Sequence, residues 1–525
     1  MAKTFDVIVI GSGFGGAITG CRLAEKGLKV LILERGRRWH VDEYPRAPED
    51  AWFYDHKEPQ LQNGWLDFRF LRKMVVAQGA GVGGGSLVYA NVCVEPNPDI
   101  FEHDWPPEIT YNELKPHYDM VGKMLRANAV PPNQLPPKQH LIHDAAVKLG
   151  YGDRFGSLPI AISFDPEFSY DRENPFADDK SKPFINEFGQ EQGTCVHCGN
   201  CDLGCQVKAR NTLDLNYIPL AEQHGAEVRP LHIVKYIEPA DGGYRVYYDR
   251  LENERRIPGT ETADRVIIAG GSLNSTEILL RSKLQYKTLP LVSDRLGDNW
   301  SSNADFLSTS DKHPQNVLPS EGPTITSIIN FGDGVIDNKR FVIEDGGKPD
   351  FLGNILKAKI ERTRIIGLFK KLLRIWYGYE QKHVAQPHVM YWFAAGVDAA
   401  DGRLSLGRHW WAPWQRVLKL DWKVAHSKPV IDAIVKMQER LGQSMGGDSD
   451  IPWTWRYFAN LITAHPLGGC KMGTTAADGV VDHRGEVFGY PNLYVADGSI
   501  LPESVGINPS RTIGALAERI AALIE

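Results

Sequence analysis

The chain has 525 residues, of which 42% are hydrophobic and 24% charged, and its 59 Lys and Arg against 65 Asp and Glu give a formal net charge of -6. That length exceeds one simple core and predicts two domains sharing an interface. The mixed, near-neutral composition excludes the signatures of nucleic-acid binding and of disorder, so nucleic acid is not an expected partner. No apolar stretch reaches the length of a membrane span, and Asp6 and Gly11 interrupt any signal-like run, so a cytoplasmic protein is expected.

Residues 3–10, KTFDVIVI, form a β-branched apolar run that predicts a buried strand, and residues 17–26 predict a helix. Between them lies the turn Gly11-Ser12-Gly13-Phe14-Gly15-Gly16. In such a turn Gly11 makes the bend, Gly13 admits a pyrophosphate close to the backbone, and Gly16 lets the helix pack on the strand. The helix N-terminus then faces the phosphates. A second apolar run over 28–33 ends at Glu34, placed to accept hydrogen bonds from an unphosphorylated ribose, as in FAD or NAD.

Gly79, Gly81, Gly83, Gly84 and Gly85, followed by Ser86, put five glycines into seven residues, which predicts a loop rather than a regular element. Its main-chain N–H groups could approach a planar or anionic ligand, and Val82 inside it argues against a flexible surface linker. Residues 97–183 hold many Pro and aromatic residues and a predicted helix over 111–126. A short helix over 219–224, strands over 226–237 and 243–249, a parallel-type strand over 263–271 and a helix over 272–282 follow. The nucleotide domain is therefore expected to be discontinuous, built from 1–95, 190–300 and 455–525, with 96–189 and 301–454 forming a substrate or cap domain. Residues 362–377 have apolar residues at helical spacing with Arg364, Lys370, Lys371 and Arg374 on other faces. This reads as a helix packed on the body of the protein, or as one making peripheral contact with an anionic membrane surface, the inner face for a cytoplasmic protein.

Seven cysteines are unevenly spread: Cys21, Cys93 and Cys470 stand alone, while Cys195, Cys198, Cys201 and Cys205 fall within eleven residues. The C-x2-C-x2-C-x3-C spacing is of ferredoxin type, with Gln206 where Pro usually follows. An iron–sulfur cluster, a zinc site and four unliganded thiols remain open, with His197 as a further ligand or a solvent-facing loop residue.

The C-terminal segment HPLGGCKMG at 465–473, VADGS at 495–499 and GINP at 506–509, with GSLNSTE at 271–277 and GAGVGGGSLV at 79–88, resembles the glucose-methanol-choline (GMC) oxidoreductases, and within them the cholesterol-oxidase branch. The resemblance implies an α/β architecture: a doubly wound, Rossmann-like FAD-binding domain, discontinuous in sequence, plus an α+β substrate domain with an antiparallel sheet. It implies oxidation of a small-molecule alcohol to a carbonyl, with His465 as base and Asn508 positioning substrate oxygen or flavin edge; a bulky, apolar alcohol is expected, of which a sterol is one candidate and not the required one. By the same resemblance Asp497, Gly498 and Pro509 contact the flavin, and Val234 offers main-chain groups to adenine. Electrons pass to a quinone or protein acceptor, or to oxygen. Cholesterol oxidases carry a substrate-domain Glu that shifts a double bond, and the resemblance sets Gln386 or its neighbours there, which puts isomerisation in doubt. Two other readings stand beside this one: an NAD-dependent Rossmann dehydrogenase, and a flavin and iron–sulfur electron-transfer protein without an alcohol site.

Overall fold

A computed structural model describes residues 5–47, 49–170, 173–348, 387–408, 416–452, 455–456 and 459–525. The basic amphipathic segment 362–377 and Gln386 lie outside the described residues.

The first sheet is centred on the strand Phe5–Ile10, whose side chains are buried on both faces, as expected where helices cover a parallel sheet. It pairs in parallel with Val30–Leu33 on one side and with the end of Arg255–Ile268 on the other. Glu227–Arg229 extends the sheet beyond Val30–Leu33, and Leu493–Val495 pairs in parallel with Arg255–Ile268. The helix Phe14–Glu25 packs against the C-terminal helix Ser510–Leu523, and Arg22 Nε donates to Glu518 Oε2 at 2.7 Å across that contact. The two ends of the chain thus build one layer.

The strand expected over 226–237 is two strands. Pro230 has no N–H for a ladder and Leu231 takes a left-handed φ of 62°, so the chain turns there. Glu227–Arg229 stays in the parallel sheet, whereas His232–Ala240, Gly243–Glu252 and the first part of Arg255–Ile268 form an antiparallel meander.

The second sheet has six antiparallel strands in the order Asp448–Asp450, Phe306–Asp311, Met390–Gly396, Lys339–Gly346, Ser327–Ile336, Phe155–Ser157. The helix Val424–Ser444 covers it, burying Val430, Ile431, Ile434, Met437 and Leu441 at helical spacing. Among the described residues, no helix is long and apolar enough to cross a membrane.

A small third sheet does the positioning. Leu66–Leu71 pairs antiparallel with Met74–Gly79, and Leu461–Thr463 pairs in parallel with Met74–Gly79. The glycine-rich stretch is therefore a strand up to Gly79 and a 3-10 turn over Gly84–Leu87, more regular than its composition predicts. This pairing places the start of that stretch beside the segment that carries His465.

Candidate active site

Three helices, beginning after Gly13, Gly270 and Pro509, direct their N-termini at one cavity of about 2190 Å³. Helix N-termini carry partial positive charge and unpaired N–H groups, which suits a phosphate or another anionic group. A pocket for a drug-sized ligand is about 300–1,000 Å³, so this one has room for a dinucleotide and a second molecule.

The cradle is built by close backbone approaches. Gly11 adopts φ +98°, and a Cβ there would lie 2.4 Å from the Ala269 carbonyl oxygen. Gly84 adopts φ +53°, and a Cβ there would lie 2.5 Å from Gly13 Cα, so the two glycine-rich segments touch main chain to main chain. Gly11, Gly13, Phe14, Gly15, Gly79, Gly84 and Gly85 line the cavity. Gly16, Gly81, Gly83 and Ser86 are not among the residues that line it. Gly16 packs on the Gly11 carbonyl and Gly81 on the Trp39 indole. Gly83 N–H donates to Ser12 Oγ at 3.1 Å, and Ser86 Oγ donates to the Gly83 carbonyl at 2.7 Å.

Glu34 is buried and lines the cavity. Its Oε2 accepts from Ser12 N–H at 3.0 Å and Ser12 Oγ at 2.7 Å, and its Oε1 accepts from Gly36 N–H at 2.8 Å. A carboxylate offers about four lone-pair sites, so one remains for a ribose hydroxyl. Asp497 differs: Gly271 N–H, Ser275 Oγ, Ser499 N–H and Ser499 Oγ occupy all of its sites at 2.5–2.8 Å. Its carboxylate is a knot that holds the Gly271 turn to the 497–499 segment, and Asp497 and Gly498 both line the cavity. Val234 also lines the cavity, where a bulge leaves Lys235 out of the ladder with Tyr248. These features fit FAD, with Ser12–Gly15, Glu34, Gly84–Gly85 and Val234 as the residues that would hold it.

The opposite end of the cavity carries the chemistry. His465 Nδ1 lies 2.8 Å from Asp305 Oδ1. Asp305 is buried, and its Oδ2 accepts from Thr463 Oγ1 at 2.8 Å, Ala464 N–H at 3.0 Å and His465 N–H at 3.2 Å. The carboxylate therefore places the proton on Nδ1 and leaves Nε2 as the basic nitrogen. No described residue hydrogen-bonds Nε2, while His465 and Asn508 both line the cavity.

Asn508 is buried and donates from Nδ2 to Glu344 Oε2 at 3.4 Å. Asn508 Oδ1 and Glu344 Oε1 are buried without a partner among the described residues. Burial pushes the Glu344 carboxyl up to about 8, with Asp345 and Asp305 adding to the shift and Asn508 opposing it. Glu344 is thus protonated at neutral pH. Gln386, which the resemblance set near the isomerising position, lies outside the described residues, and the carboxyl found beside Asn508 is that of Glu344. Neither Asp305 nor Glu344 was found from sequence. The only signal for Glu344 was an acidic pair inside the apolar strand Lys339–Gly346. Phe70, Leu307, Ile325, Tyr391, Phe393 and Ile462 supply much of the apolar lining.

Cys195 and Cys201 are buried and Cys198 and Cys205 half-buried, all four as free cysteines. Burial pushes the Cys198 thiol up to about 12 and the Cys195 thiol well up, with Cys205 and Cys201 adding to the first and Cys201, Cys198 and Cys205 to the second. Among the described residues, no group of three or more His, Cys, Asp or Glu side chains is arranged to hold a metal ion. His197 is fully buried rather than solvent-facing, with Nδ1 2.9 Å from Tyr170 Oη and Nε2 2.9 Å from Gln134 Oε1, so it is not a ligand.

Residues 415–517 match the GMC oxidoreductase family, and residues 9–47 match the NAD(P)-binding Rossmann-like domain. A cholesterol oxidase of Acinetobacter baumannii is 31% identical over 99% of this chain and 94% of its own length. A long-chain-alcohol oxidase of Arabidopsis thaliana is 24% identical over 99% of this chain and 67% of its own. The solved pyridoxine 4-oxidase from Mesorbium loti shares the fold, with a TM-score of 0.63, 16% identity and coverage of 99% of both chains.

Proposed function

The chain belongs to the GMC oxidoreductase family, in its cholesterol-oxidase branch, as an FAD-dependent oxidoreductase acting on CH–OH donors, and from that premise we propose that it oxidises a bulky, apolar, sterol-like alcohol to a carbonyl. Family membership sets aside the NAD-dependent reading and the reading without an alcohol site. The observation that carries the proposal is the single cavity, which joins the Gly11–Gly15 and Glu34 cradle to His465 and Asn508.

FAD supplies, when bound, the two-electron acceptor that takes the carbinol hydrogen. The chain's own residues do the rest. His465 Nε2 accepts the hydroxyl proton, and Asp305, fixed by three further donors, holds Nδ1–H and stabilises the imidazolium that forms. Asn508 orients the substrate oxygen by donating its second Nδ2 hydrogen, the first being held by Glu344 Oε2. The apolar walls exclude water and favour a rigid hydrocarbon over a polar sugar.

Glu344 favours a second step on the same product. A carboxyl that titrates near 8 can both give and take a proton at neutral pH, as a double-bond shift next to the new carbonyl requires. The electrons then leave to a quinone, a redox protein or oxygen. The test is anaerobic reduction of the bound flavin by sterols and other bulky secondary alcohols. Reduction by such alcohols and loss of it in His465→Ala support the proposal; reduction only by small polar alcohols overturns the substrate class.

A further inference from the structure

Residues 301–305, SSNAD, precede the strand Phe306–Asp311 and run between the two segments that carry the working side chains. On one side Asp305 holds the His465 ring, and Ser301 exchanges both main-chain hydrogen bonds with Leu467 at 3.0 Å. On the other side Asn303 Nδ2 donates to the Ile507 carbonyl at 2.9 Å, and Asn303 Oδ1 accepts from Gly506 N–H at 3.0 Å. Ile507 directly precedes Asn508. We propose that Asn303 is a positioning residue for the oxidation: by clamping residues 506–507 it sets the Asn508 amide at the separation from His465 Nε2 at which one substrate oxygen meets both.

Three observations carry this role. The first is burial. Asn303, Ala304 and Asp305 are all shut off from solvent, and a buried amide must find partners for its polar atoms. Asn303 takes them from main chain 203 and 204 positions away. Among the described residues no β-bridge joins these two segments, so one side chain does there what a ladder does elsewhere.

The second is backbone strain. Asn303 has a φ of 56° and Ala304 a φ of 46°, both left-handed, which Asn tolerates and Ala does not. Such conformations persist only where the surroundings over-determine them, and they cluster at functional sites.

The third is the frame that does the over-determining. Asn303 N–H donates to Ser301 Oγ at 2.9 Å, and the Asn303 carbonyl accepts from Gly396 N–H at 2.9 Å. Ser301 Oγ donates to Asp398 Oδ1 at 2.7 Å, and Ser302 N–H and Oγ both donate to Asp398 Oδ2 at 3.0 Å. Asp398 N–H then donates to Ser504 Oγ at 2.9 Å, which closes the ring on the segment that carries Asn508. Gly506 fits tightly against the same frame, since a Cβ there would lie 2.8 Å from Val397 Cγ2. The frame is rigid, and Asn303 is its contact with residues 506–507.

The rate effect rests on the oxidation reading above; the clamp does not. Asn303→Gly removes the amide and leaves a backbone to which a left-handed φ is no burden. In the full, flavin-replete chain, mixed without oxygen with a sterol or another bulky secondary alcohol, it should lower the limiting rate of flavin bleaching about 10²-fold and leave the substrate dissociation constant within about threefold. In an Asn508→Ala background the same substitution should lower the rate by no more than about threefold, because it acts through Asn508. Equal losses in the two backgrounds, or a loss confined to flavin content, overturn the proposal.

Amide hydrogen exchange reads the clamp without turnover. Peptides over 502–509 should exchange faster in Asn303→Gly, while those over 463–467 keep the native rate. Unchanged exchange over 502–509 overturns the clamp. If Asn303→Gly does not fold, the native chain decides: slow exchange at Gly506 N–H supports the clamp and rapid exchange overturns it. Faster exchange over 502–509 in a protein whose flavin no alcohol reduces supports the clamp and overturns the oxidation reading instead.

Discussion

At the scale of single residues the account turns on two buried carboxyls. Asp305 is a positioning residue, since it reaches the substrate only through His465. Asp305→Asn should slow flavin reduction by about 10²–10⁴, because the amide removes the charge that steadies the imidazolium and permits the wrong tautomer. The loss should fall on the rate of flavin reduction with flavin content unchanged, whereas a merely structural role would lower flavin content as well. Glu344→Gln should keep alcohol oxidation within about tenfold of the native rate while abolishing the double-bond shift, read as the absorbance of the conjugated ketone. Its folded pKa is raised to about 8, so its favourable contribution is full at pH values below the unfolded carboxyl range and is lost as pH rises through about 8. The Tm of the native protein should therefore fall more steeply between pH 5 and 9 than that of Glu344→Gln.

These residues also mark what sequence conveys. His465 and Asn508 sit in local motifs whose order is distinctive, and Glu34 follows the glycine turn at a fixed interval. Asp305 lies 160 positions from His465 and Glu344 lies 164 from Asn508. Such pairings arise from sheet packing, and no local spacing records them.

At the scale of elements, the strand, turn and helix at the N-terminus followed from periodicity and glycine placement. The parallel pairing of Leu461–Thr463 with Met74–Gly79 did not, since a three-residue strand has too little pattern to announce a partner. The break at Pro230 was legible as a breaker, but apolar residues on both sides concealed it. Gly84 tests the cradle most directly. Gly84→Ala brings a Cβ 2.5 Å from Gly13 Cα at a left-handed φ, so the two segments must separate. The variant should lose about 1–3 kcal/mol of stability and most of its bound flavin, measured by thermal unfolding and by flavin content after gel filtration.

At the scale of the whole molecule, the parallel sheet holds the nucleotide cradle, the antiparallel sheet supplies Glu344 and Phe393, and the small third sheet fixes His465 beside the glycine-rich segment. Discontinuity in sequence is what makes this possible, because both chain ends and the middle must meet at one cavity. The fold class was therefore legible from motif order, while the shape of the substrate end was not. The central claim is that His465 is the base for oxidation of a bulky alcohol by the flavin. It is tested by mixing oxygen-free, flavin-replete enzyme with a sterol or another bulky secondary alcohol and following the flavin absorbance. The account predicts rapid bleaching in the native protein and a rate lower by about 10²–10⁴ in His465→Ala with flavin content unchanged. Bleaching at the native rate in His465→Ala would contradict it.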